Sequence, residues 1–478
     1  MKILLIQPPH ITAGIARSPD SFPFGIAYIA KILSKKHEVS LLDIWGLELN
    51  KEQAVERIRK SDFDIVGISA LSTQYAYVKW LSSKIKEIKN VKIILGGLLP
   101  THNTDTVLNH TKVDICVIDE GEITIEELLQ NLHHLEKVKG IAYKKEGEIV
   151  RTPPRPYIQN LDELPLPAWD LFPMETYITR TIFKEDGRKM NILTGRGCPY
   201  NCSYCSKGFK GVRLRSIDSV IKEIKILKEK YKIKTIQFSD DLVVVNKPRT
   251  LELCKKLKPL GLRWSCQGRV NIVDLELLKE MKKSGCKRIG YGIESGSQKI
   301  LNNMNKMVTV EQAEKTIANT FKAGLALHPQ MMFGMIGETK ETLKETIDFC
   351  KRCHIAPGMF ITTPLPNTKV YEYAKEKGMI TDEEKYLENL PGTFKLYVNL
   401  TEFSDEEFMD IYNKTMSEIA KNYAKYRNKH PGLFTREYIH KIKRAIWYIQ
   451  DFGIGKFCIN FYRAVKNNPS ILFNKENI

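Results

Sequence analysis

The sequence predicts an α/β protein in which two separate parallel sheets precede a mainly helical region. Short runs of Ile, Val and Leu alternate with amphipathic helical stretches over residues 2–133 and again over residues 191–364. This alternation is typical of buried parallel strands that are joined by crossover helices. Proline-rich sequence divides the two regions, because segments such as Arg151–Pro156 and Leu164–Pro167 cannot continue a helix.

The first region, residues 1–140, predicts a doubly wound parallel sheet with helices on both faces. Its expected strands are Lys2–Gln7, Val39–Ile44, Asp64–Ser69, Val91–Gly97 and Val113–Ile118. Its expected helices are Gly25–Ser34, Lys51–Lys60, Thr73–Ile88 and Thr104–Asn109. Ligands of such sheets bind outside the carboxyl ends of the strands. Those ends carry Pro8-Pro9, Ser69-Ala70, Gly96-Gly97 and Asp119-Glu120-Gly121-Glu122.

A short hairpin and a proline-rich linker follow, and we place the linker at residues 141–185. Residues 186–380 alternate again and predict a partial (β/α)6, TIM-like barrel, whose chemistry lies at the carboxyl ends of its strands. The expected strands are Asn191–Thr194, Thr235–Asp240, Leu262–Gly268, Arg288–Glu294, Ala326–Gly334 and Gly358–Thr363. The expected helices are Ile217–Tyr231, Pro248–Leu257, Asp274–Ser284, Thr309–Ala323 and Lys340–Cys353. Residues 381–478 are expected to form a helical, basic C-terminal region.

Composition and charge exclude several classes of protein. No stretch reaches the roughly 18 consecutive apolar residues of a membrane span. The apolar N-terminus is shorter than a signal peptide requires and no small-residue cleavage site follows it, so we expect a cytoplasmic protein. The net charge of +18 is uneven, because twelve Lys and Arg oppose three Asp and Glu from Lys421 onward. Such a tail suits nucleic acid, anionic lipid or an acidic substrate, and it equally suits a solvated basic face.

Three cysteines follow the first strand that we expect in the barrel. Cys198, Cys202 and Cys205 lie in a segment whose glycines and proline favour a loop, so their sulfur atoms can converge. Thiolates are the usual ligands of iron–sulfur clusters. Three of them leave one iron free to bind a small molecule with an amine and a carboxylate. A zinc site is the alternative, but zinc normally takes a fourth protein ligand, and none lies close in sequence.

The segment Gly195–Cys205 resembles the CxxxCxxC signature of the radical S-adenosylmethionine (SAM) superfamily. The resemblance implies a 4Fe–4S cluster held by Cys198, Cys202 and Cys205, with SAM bound to the open iron. It also implies that the reduced cluster cleaves SAM to methionine and a 5′-deoxyadenosyl radical.

Later segments resemble further motifs of this family, and the resemblance covers roughly residues 155–375. The segments are Phe238–Asp241, Arg269, Gly292–Ser297, Gly334–Thr339 and Pro364–Thr368. In the last of them Asn367 replaces a glycine, and Asn tolerates the left-handed backbone that glycine favours. The resemblance implies SAM contacts from Tyr204, Asp240, Arg269, Glu294, Ser295 and Gly334.

The first region resembles the Rossmann-like cobalamin-binding domain that precedes the barrel in one large subfamily. That subfamily includes cobalamin-dependent radical SAM methyltransferases and the anaerobic Mg-protoporphyrin monomethyl ester cyclase. The matching segments are Pro23–Ala30, His37–Val39, Asp64–Ser69, Gly96-Gly97 and Asp119–Glu122, although the subfamily more often has Gly at position 119. The resemblance implies cobalamin contacts from Ser69, Gly96, Gly97, Glu120 and Gly121. No Asp-x-His-x-x-Gly occurs in the sequence, which implies cobalamin bound base-off without a histidine ligand.

We therefore expect a radical SAM enzyme, and specifically a cobalamin-dependent methyltransferase that acts on an unactivated carbon. One alternative is a radical SAM cyclase, C–C coupling or rearrangement enzyme, with or without cobalamin. Stoichiometry separates the two, because the methyltransferase consumes two SAM per turnover and yields S-adenosylhomocysteine. A second alternative, from another class, is an iron–sulfur protein that binds nucleic acid or regulates, and only the basic tail supports it.

The expected partners are an external electron donor, such as flavodoxin or ferredoxin, and a small-molecule, lipid or peptide substrate. Peripheral contact of the basic tail with an anionic membrane is a further alternative, whereas nucleic acid is not an expected partner. A labile cluster suits a reducing, anaerobic cytoplasm. Cys350 and Cys353 have metal-like spacing but no matching second pair, so we expect them to be structural, and we expect the same of His102.

Overall fold

The computed structural model describes residues 1–12, 15–16, 21–180, 186–390 and 395–430. The strands are β1 Lys2–Gln7, β2 Ile11–Thr12, β3 Ile15–Ala16, β4 Glu38–Asp43, β5 Ile65–Ser69, β6 Lys92–Gly96, β7 Ile115–Val117, β8 Ile141–Lys145, β9 Glu148–Arg151, β10 Lys189–Ile192, β11 Gly195–Arg196, β12 Arg213–Leu214, β13 Thr235–Phe238, β14 Arg263–Gly268, β15 Cys286–Glu294, β16 Ala326–Phe333 and β17 Gly358–Ile361. The helices are α1 Phe24–Leu33, α2 Lys51–Lys60, α3 Tyr75–Ile88, α4 Leu98–His102, α5 Thr104–His110, α6 Gly121–Gln130, α7 Met174–Thr179, α8 Ile217–Tyr231, α9 Lys247–Leu257, α10 Leu275–Lys283, α11 Gln298–Asn303, α12 Val310–Lys322, α13 Lys340–Arg352, α14 Lys369–Glu376, α15 Glu383–Glu388 and α16 Asp405–Lys429.

The chain divides into two compact units. The first comprises Met1–Gly290, Asn319–Leu327 and Thr363–Val398. The second comprises Tyr291–Ala318, His328–Thr362 and the chain from Asn399 onward. The division falls inside strand β15, so each half of that strand is described with its own unit. The domain boundaries at residues 140, 185 and 380 stay predictions.

A seven-stranded sheet in the order β4-β1-β5-β6-β7-β8-β9 dominates the first unit. Strands β4, β1, β5, β6 and β7 are parallel, with Leu5 paired to Leu41 and to Gly67 in the centre of the sheet. The five predicted strands and the doubly wound class are therefore confirmed. The predicted hairpin is also present, but the structure adds it as antiparallel strands β8 and β9 to the edge of this sheet.

Helix packing explains why the centre of β1 is apolar. Its residues Ile3 to Ile6 are at most 3% exposed, because helices cover both faces of the sheet. The order of strands reverses at β1, because β4 lies on one side of it and β5 on the other. Such a reversal marks the position where doubly wound sheets bind ligands, at the carboxyl ends of the two flanking strands. Those ends here carry Pro8 and Ser69.

The barrel region forms a parallel half-barrel sheet, as predicted. In the first unit its strands follow the order β10-β13-β14-β15, and in the second unit the order β15-β16-β17. Strand pairs β10–β13, β13–β14 and β16–β17 are parallel. The core of the first unit includes Phe238 and Trp264, whose rings meet edge to face with centroids 5.7 Å apart.

The C-terminal region is helical in the part that the structure describes, where α15 and α16 account for most residues. Helix α16 starts at the N-cap Ser404, whose side chain accepts a hydrogen bond from the Glu407 amide. Most of the predicted basic tail, residues 431–478, lies outside the described residues. None of the described helices is long and apolar enough to span a membrane.

Candidate active site

The three cysteines lie in a loop that a small antiparallel ladder closes at its base. Gly195 pairs with Leu214 and Arg196 pairs with Arg213, so β11 and β12 bound residues 197–212, which we call the cysteine loop. Gly197 has φ +82°, and a Cβ atom there would lie 2.3 Å from the Gly211 carbonyl oxygen. Only glycine can therefore start this loop.

Asp240 fixes the strand end from which the cysteine loop departs. Its Oδ1 atom accepts hydrogen bonds from the Thr194 amide at 2.7 Å and the Thr194 hydroxyl at 2.9 Å. Its Oδ2 atom is buried and has no partner among the described residues. Burial raises the pKa of Asp240 to about 7, although the Thr194 hydrogen bonds oppose this shift. The residue therefore positions the loop with one oxygen and leaves the other free for a ligand.

The three cysteines of the loop differ in their exposure. Cys198 and Cys202 are half-buried, whereas Cys205 is exposed as a residue. Desolvation of its thiol by the surrounding loop, with additional repulsion from Cys202 and Asp241, raises the pKa of Cys205 to about 11. Because thiolates are the metal-binding form, cluster assembly must displace the proton from this thiol.

The donor set suits a 4Fe–4S cluster, because thiolates are its usual protein ligands and the loop supplies three of them. Among the described residues, no three His, Cys, Asp or Glu side chains form a group that could hold a single metal ion. The half-buried Tyr204 lies between the second and third cysteines of this loop.

Arg269 is the buried cation nearest to these thiols among the contacts that the structure records. Its Nη1 atom lies 3.8 Å from Cys202 Sγ, and its guanidinium lies 3.6 Å from the centre of the Tyr200 ring. The residue is 6% exposed, yet its Nε and Nη2 atoms have no partner among the described residues. Buried donors without partners are costly, so this site is suited to an anionic group of a ligand.

The carboxyl edge of the first sheet carries three of the five predicted cobalamin residues. Gly97 has φ +94°, and a Cβ atom there would lie 2.6 Å from the Ala70 carbonyl oxygen. Gly96 differs, because a Cβ atom there would meet nothing within 4 Å. Ser69, at the end of β5, is half-buried. These three predicted cobalamin residues therefore share one edge of the sheet, and their contact with cobalamin stays a prediction.

The two other predicted cobalamin residues have different surroundings. Both carboxylate oxygens of Glu120 are engaged, by Arg196, by Arg213 and by the Ile158 amide. Gly121 begins α6 and approaches the Ile29 side chain, 3.2 Å from the position of a Cβ atom. Both residues therefore have contacts within the fold, and their contact with cobalamin stays a prediction. Asp119 adopts φ +60°, which explains why glycine is common at this position in the subfamily that the sequence resembles.

His102 joins α4 to the cysteine loop. Its Nε2 atom lies 3.2 Å from the Lys207 carbonyl oxygen and 3.2 Å from Asn367 Nδ2. Its Nδ1 atom lies 3.4 Å from Ser206 Oγ. Asn367 has φ +65°, which agrees with the expectation that asparagine replaces glycine here without penalty to the turn. The sequence analysis assigned His102 a structural role without finding these partners.

The remaining predicted SAM residues lie in the second unit. Glu294 has φ +72° and accepts a hydrogen bond from Lys306 Nζ at 2.9 Å, and both side chains are about nine-tenths buried. The Ser295 hydroxyl lies 3.2 Å from that of Thr346 and accepts a hydrogen bond from the Ser297 amide. These contacts shape the turn after β15.

Gly334 directly follows β16 and lies against the ring of Phe408. It has φ +84°, and a Cβ atom there would lie 2.6 Å from two ring carbons of Phe408. Its amide donates a hydrogen bond to the buried Glu338 carboxylate. Burial raises the pKa of Glu338 to about 8. Gly334 therefore has a packing role that its motif did not reveal.

The structure thus brings the three cysteines, Asp240 and Arg269 together in the first unit. Sequence reasoning missed Tyr200, which lies within the cysteine loop, and Arg196 and Arg213, which flank it. Tyr200 stands between the first two cysteines of the CxxxCxxC signature, so its position could have drawn notice. The two arginines carry no local signal, because only the pairing of β11 with β12 places them side by side.

Comparisons with known proteins agree with this geometry. The chain matches the Radical SAM superfamily over residues 192–350 and the B12 binding domain over residues 12–129. It is 35% identical over 431 residues to an uncharacterized methyltransferase of Pyrococcus horikoshii, covering 87% of this chain and 91% of that protein. It is 28% identical over 406 residues to the anaerobic magnesium-protoporphyrin IX monomethyl ester cyclase of Rubrivivax gelatinosus, covering 81% and 72% respectively.

A solved structure shares the fold. The radical SAM methyltransferase TsrM of Kitasatospora setae aligns with a TM-score of 0.65 and 18% identity, covering 78% of this chain and 76% of that one. At this identity the likeness shows the fold alone. The match to both domains and the 35% identity to a relative over most of the chain show the family. The chain therefore belongs to the radical SAM superfamily, in the group of its enzymes that join a B12-binding domain to the 4Fe–4S and SAM-binding barrel.

Proposed function

We propose that this enzyme transfers a methyl group from SAM, by way of cobalamin, to an unactivated carbon of its substrate. The observation that carries the proposal is the position of the cysteine loop. His102 and Glu120 both follow carboxyl ends of the first sheet. His102 contacts Lys207 of this loop, and Glu120 contacts Arg196 at its base. The likeness to a methyltransferase over 91% of that relative's length supports the same reaction.

The chain has residues suited to each cofactor. Cys198, Cys202 and Cys205 would hold the cluster, and the open edge at Ser69, Gly96 and Gly97 would take the corrin. When bound, the reduced cluster cleaves SAM to a 5′-deoxyadenosyl radical, and cobalamin carries the methyl group. The chain's own contribution is to bind and orient these groups.

Arg269 and Asp240 would perform that orientation for SAM. The free Nε and Nη2 donors of Arg269 suit the SAM carboxylate, and the free Oδ2 of Asp240 suits its amino group. Tyr204, Glu294, Ser295 and Gly334 are further proposed SAM residues. The reaction also requires an external reductant, and we propose flavodoxin or ferredoxin for this part.

Anaerobic reconstitution with iron, sulfide and hydroxocobalamin tests the proposal. After reduction, SAM with a deuterated methyl group is added and the products are separated by chromatography. The expected result is retained corrin, with both 5′-deoxyadenosine and S-adenosylhomocysteine formed. Formation of 5′-deoxyadenosine alone would favour a cyclase or coupling reaction, as in the related magnesium-protoporphyrin enzyme. Absence of SAM cleavage by a loaded cluster would overturn the assignment.

Matched cysteine variants complete the experiment. Cys205→Ala removes one ligand of the cysteine loop, and the iron content and SAM cleavage should both fall to background. Cys353→Ala is the control, because Cys353 is a half-buried thiol at the end of α13. This control should retain the cluster.

A further inference from the structure

Four charged side chains meet at the base of the cysteine loop. Glu120 precedes α6 and Glu122 lies in its first turn, on the carboxyl side of the first sheet. Arg196 and Arg213 are the paired residues of β11 and β12. The four side chains are only 4–10% exposed. We call them the salt-bridge network.

Within the salt-bridge network, both arginines donate hydrogen bonds to the glutamates. Arg196 donates to Glu120 at 2.6 Å through Nη1 and to Glu122 through Nη2. Arg213 Nη1 lies 2.8 Å and 2.9 Å from the two oxygens of Glu120. Two positive and two negative charges balance, so the network carries no net charge into the interior.

Aromatic rings and the linker enclose the two guanidinium groups. Arg196 lies between the rings of Tyr28 and Phe209, 5.4 Å and 5.7 Å from their centres. Arg213 Nη1 also donates to the Ile158 carbonyl oxygen at 2.7 Å, and the Ile158 amide donates to Glu120. Three separate chain segments therefore converge on one carboxylate.

Stability alone does not account for such an arrangement. A buried ion pair is often no more stabilising than apolar residues of similar volume, because desolvation of the charges offsets their attraction. Charge-assisted hydrogen bonds differ from apolar contacts in being directional, since a guanidinium meets carboxylates in a fixed geometry. Arg196 lies two residues before Cys198, so the salt-bridge network holds the chain close to the first thiol.

We propose that the salt-bridge network is a positioning device, which fixes the cysteine loop against the B12-binding sheet and so sets the separation of the two cofactors. Glu120, Glu122, Arg196 and Arg213 are its positioning residues. The proposal rests on the proposed function, because a methyl transfer that uses both cofactors on one substrate depends on their relative placement.

Hydrogen exchange of the cofactor-free chain tests the device independently of catalysis. In Glu120→Gln/Glu122→Gln, amides of residues 197–212 should exchange about tenfold faster or more, because the base of the loop opens more often. Glu223→Gln is the matched control. Its buried partner Arg215 is 6% exposed, and both residues belong to the barrel region. Core amides of β1 should exchange equally in all three proteins.

Two results would overturn the device. One is unchanged exchange of the cysteine loop in the double variant. The other is an equal increase in Glu223→Gln, which would show that loss of any buried ion pair loosens the loop. If the double variant fails to fold, Arg196→Lys/Arg213→Lys can be used instead. It keeps both positive charges but replaces the planar guanidinium groups, which bind carboxylates through two N–H groups. Its loop should exchange faster than in the wild type, and unchanged exchange would again reject the device.

A distance measurement on the reconstituted enzyme extends the test. Pulsed electron paramagnetic resonance between the reduced cluster and cob(II)alamin should give a narrow distance distribution in the wild type and a broader one in Glu120→Gln/Glu122→Gln. The variant should also form more 5′-deoxyadenosine per S-adenosylhomocysteine, with iron content retained. An unchanged distribution and ratio would reject the device. A wild type that binds no corrin would instead refute the proposed function, while the exchange experiment would still decide on the network.

Discussion

The guanidinium of Arg269 lies 3.6 Å from the centre of the Tyr200 ring, and its Nη1 atom lies 3.8 Å from Cys202 Sγ. A ring face attracts a cation but satisfies none of its in-plane N–H groups. Two of these donors have no partner among the described residues. The Tyr200 ring therefore holds the Arg269 guanidinium beside the thiols, where these two N–H groups could donate to a carboxylate.

Replacement of this arginine should weaken SAM binding. Arg269→Lys loses the planar fork and should raise the SAM dissociation constant about 10- to 100-fold, since a hydrogen bond to a charged group contributes about 1.5–3 kcal/mol. Equilibrium dialysis under anaerobic conditions measures this constant. Arg263→Lys, at the amino end of the same strand β14, is the control and should leave it unchanged. Equal weakening in both variants would argue against direct contact.

The approach of Phe408 to Gly334 should make this glycine hard to replace. Gly334→Ala adds left-handed backbone strain and a clash with a ring, and should reduce the local stability of β16 by about 3 kcal/mol. Gly337→Ala is a control in the same turn. It has φ +80°, but the nearest atom to its Cβ position is the terminal Nδ2 of the Asn303 side chain and not a ring. Gly337→Ala should therefore reduce the local stability by only about 1 kcal/mol.

Native-state hydrogen exchange of β16 amides measures both glycine variants. Phe408→Leu should restore part of the loss in Gly334→Ala, because it removes the clash but not the strain. Strictly additive effects of the two substitutions would contradict this account.

The buried Glu338 should make stability fall as the pH rises. Burial raises its folded pKa to about 8, above the ordinary value of 4.5. Below pH 4.5 the carboxyl group is protonated in both states, so its contribution is fully present. Between pH 4.5 and 8 only the unfolded state ionises, and the contribution is lost as the pH rises.

Glu338→Gln mimics the protonated acid, so its stability should no longer fall as the pH rises through this range. The thermal unfolding midpoint of the wild type should fall relative to that of Glu338→Gln between pH 5 and pH 8. The full effect has an upper bound of about 5 kcal/mol. A constant difference between the two proteins across this range would show that Glu338 is ionised when folded.

His102 should make the folded state less stable as the pH falls, which is the opposite of the effect of Glu338. Burial lowers the pKa of its imidazole below the ordinary 6.5, despite a hydrogen bond to the Lys207 carbonyl group. Above pH 6.5 the ring is neutral in both states. As the pH falls below 6.5 the unfolded state binds a proton first, so stability is lost.

His102→Gln keeps a donor but cannot titrate, so its stability should fall less than that of the wild type between pH 7.5 and 5.5. Thermal unfolding of the cofactor-free chain provides the comparison. His134→Gln, at a side chain that is 61% exposed, is the control and should follow the wild type. Identical pH profiles for wild type and His102→Gln would contradict a neutral buried imidazole.

Much of the fold and of the candidate site can be predicted from the order of residues along the chain. Apolar periodicity identified both sheets and nearly all their strands, because buried parallel strands need continuous apolar runs. The spacing of Cys198, Cys202 and Cys205 identified the family, because cluster ligation demands thiols at short, fixed intervals. Both the apolar runs and the cysteine spacing are patterns of residues that lie close together in the sequence. Only the tertiary structure placed Arg269 against Tyr200, Phe408 over Gly334, and Glu120 between Arg196 and Arg213. These partners are separated by many residues, and no local pattern specifies which buried charges or rings meet when the strands and helices fold together.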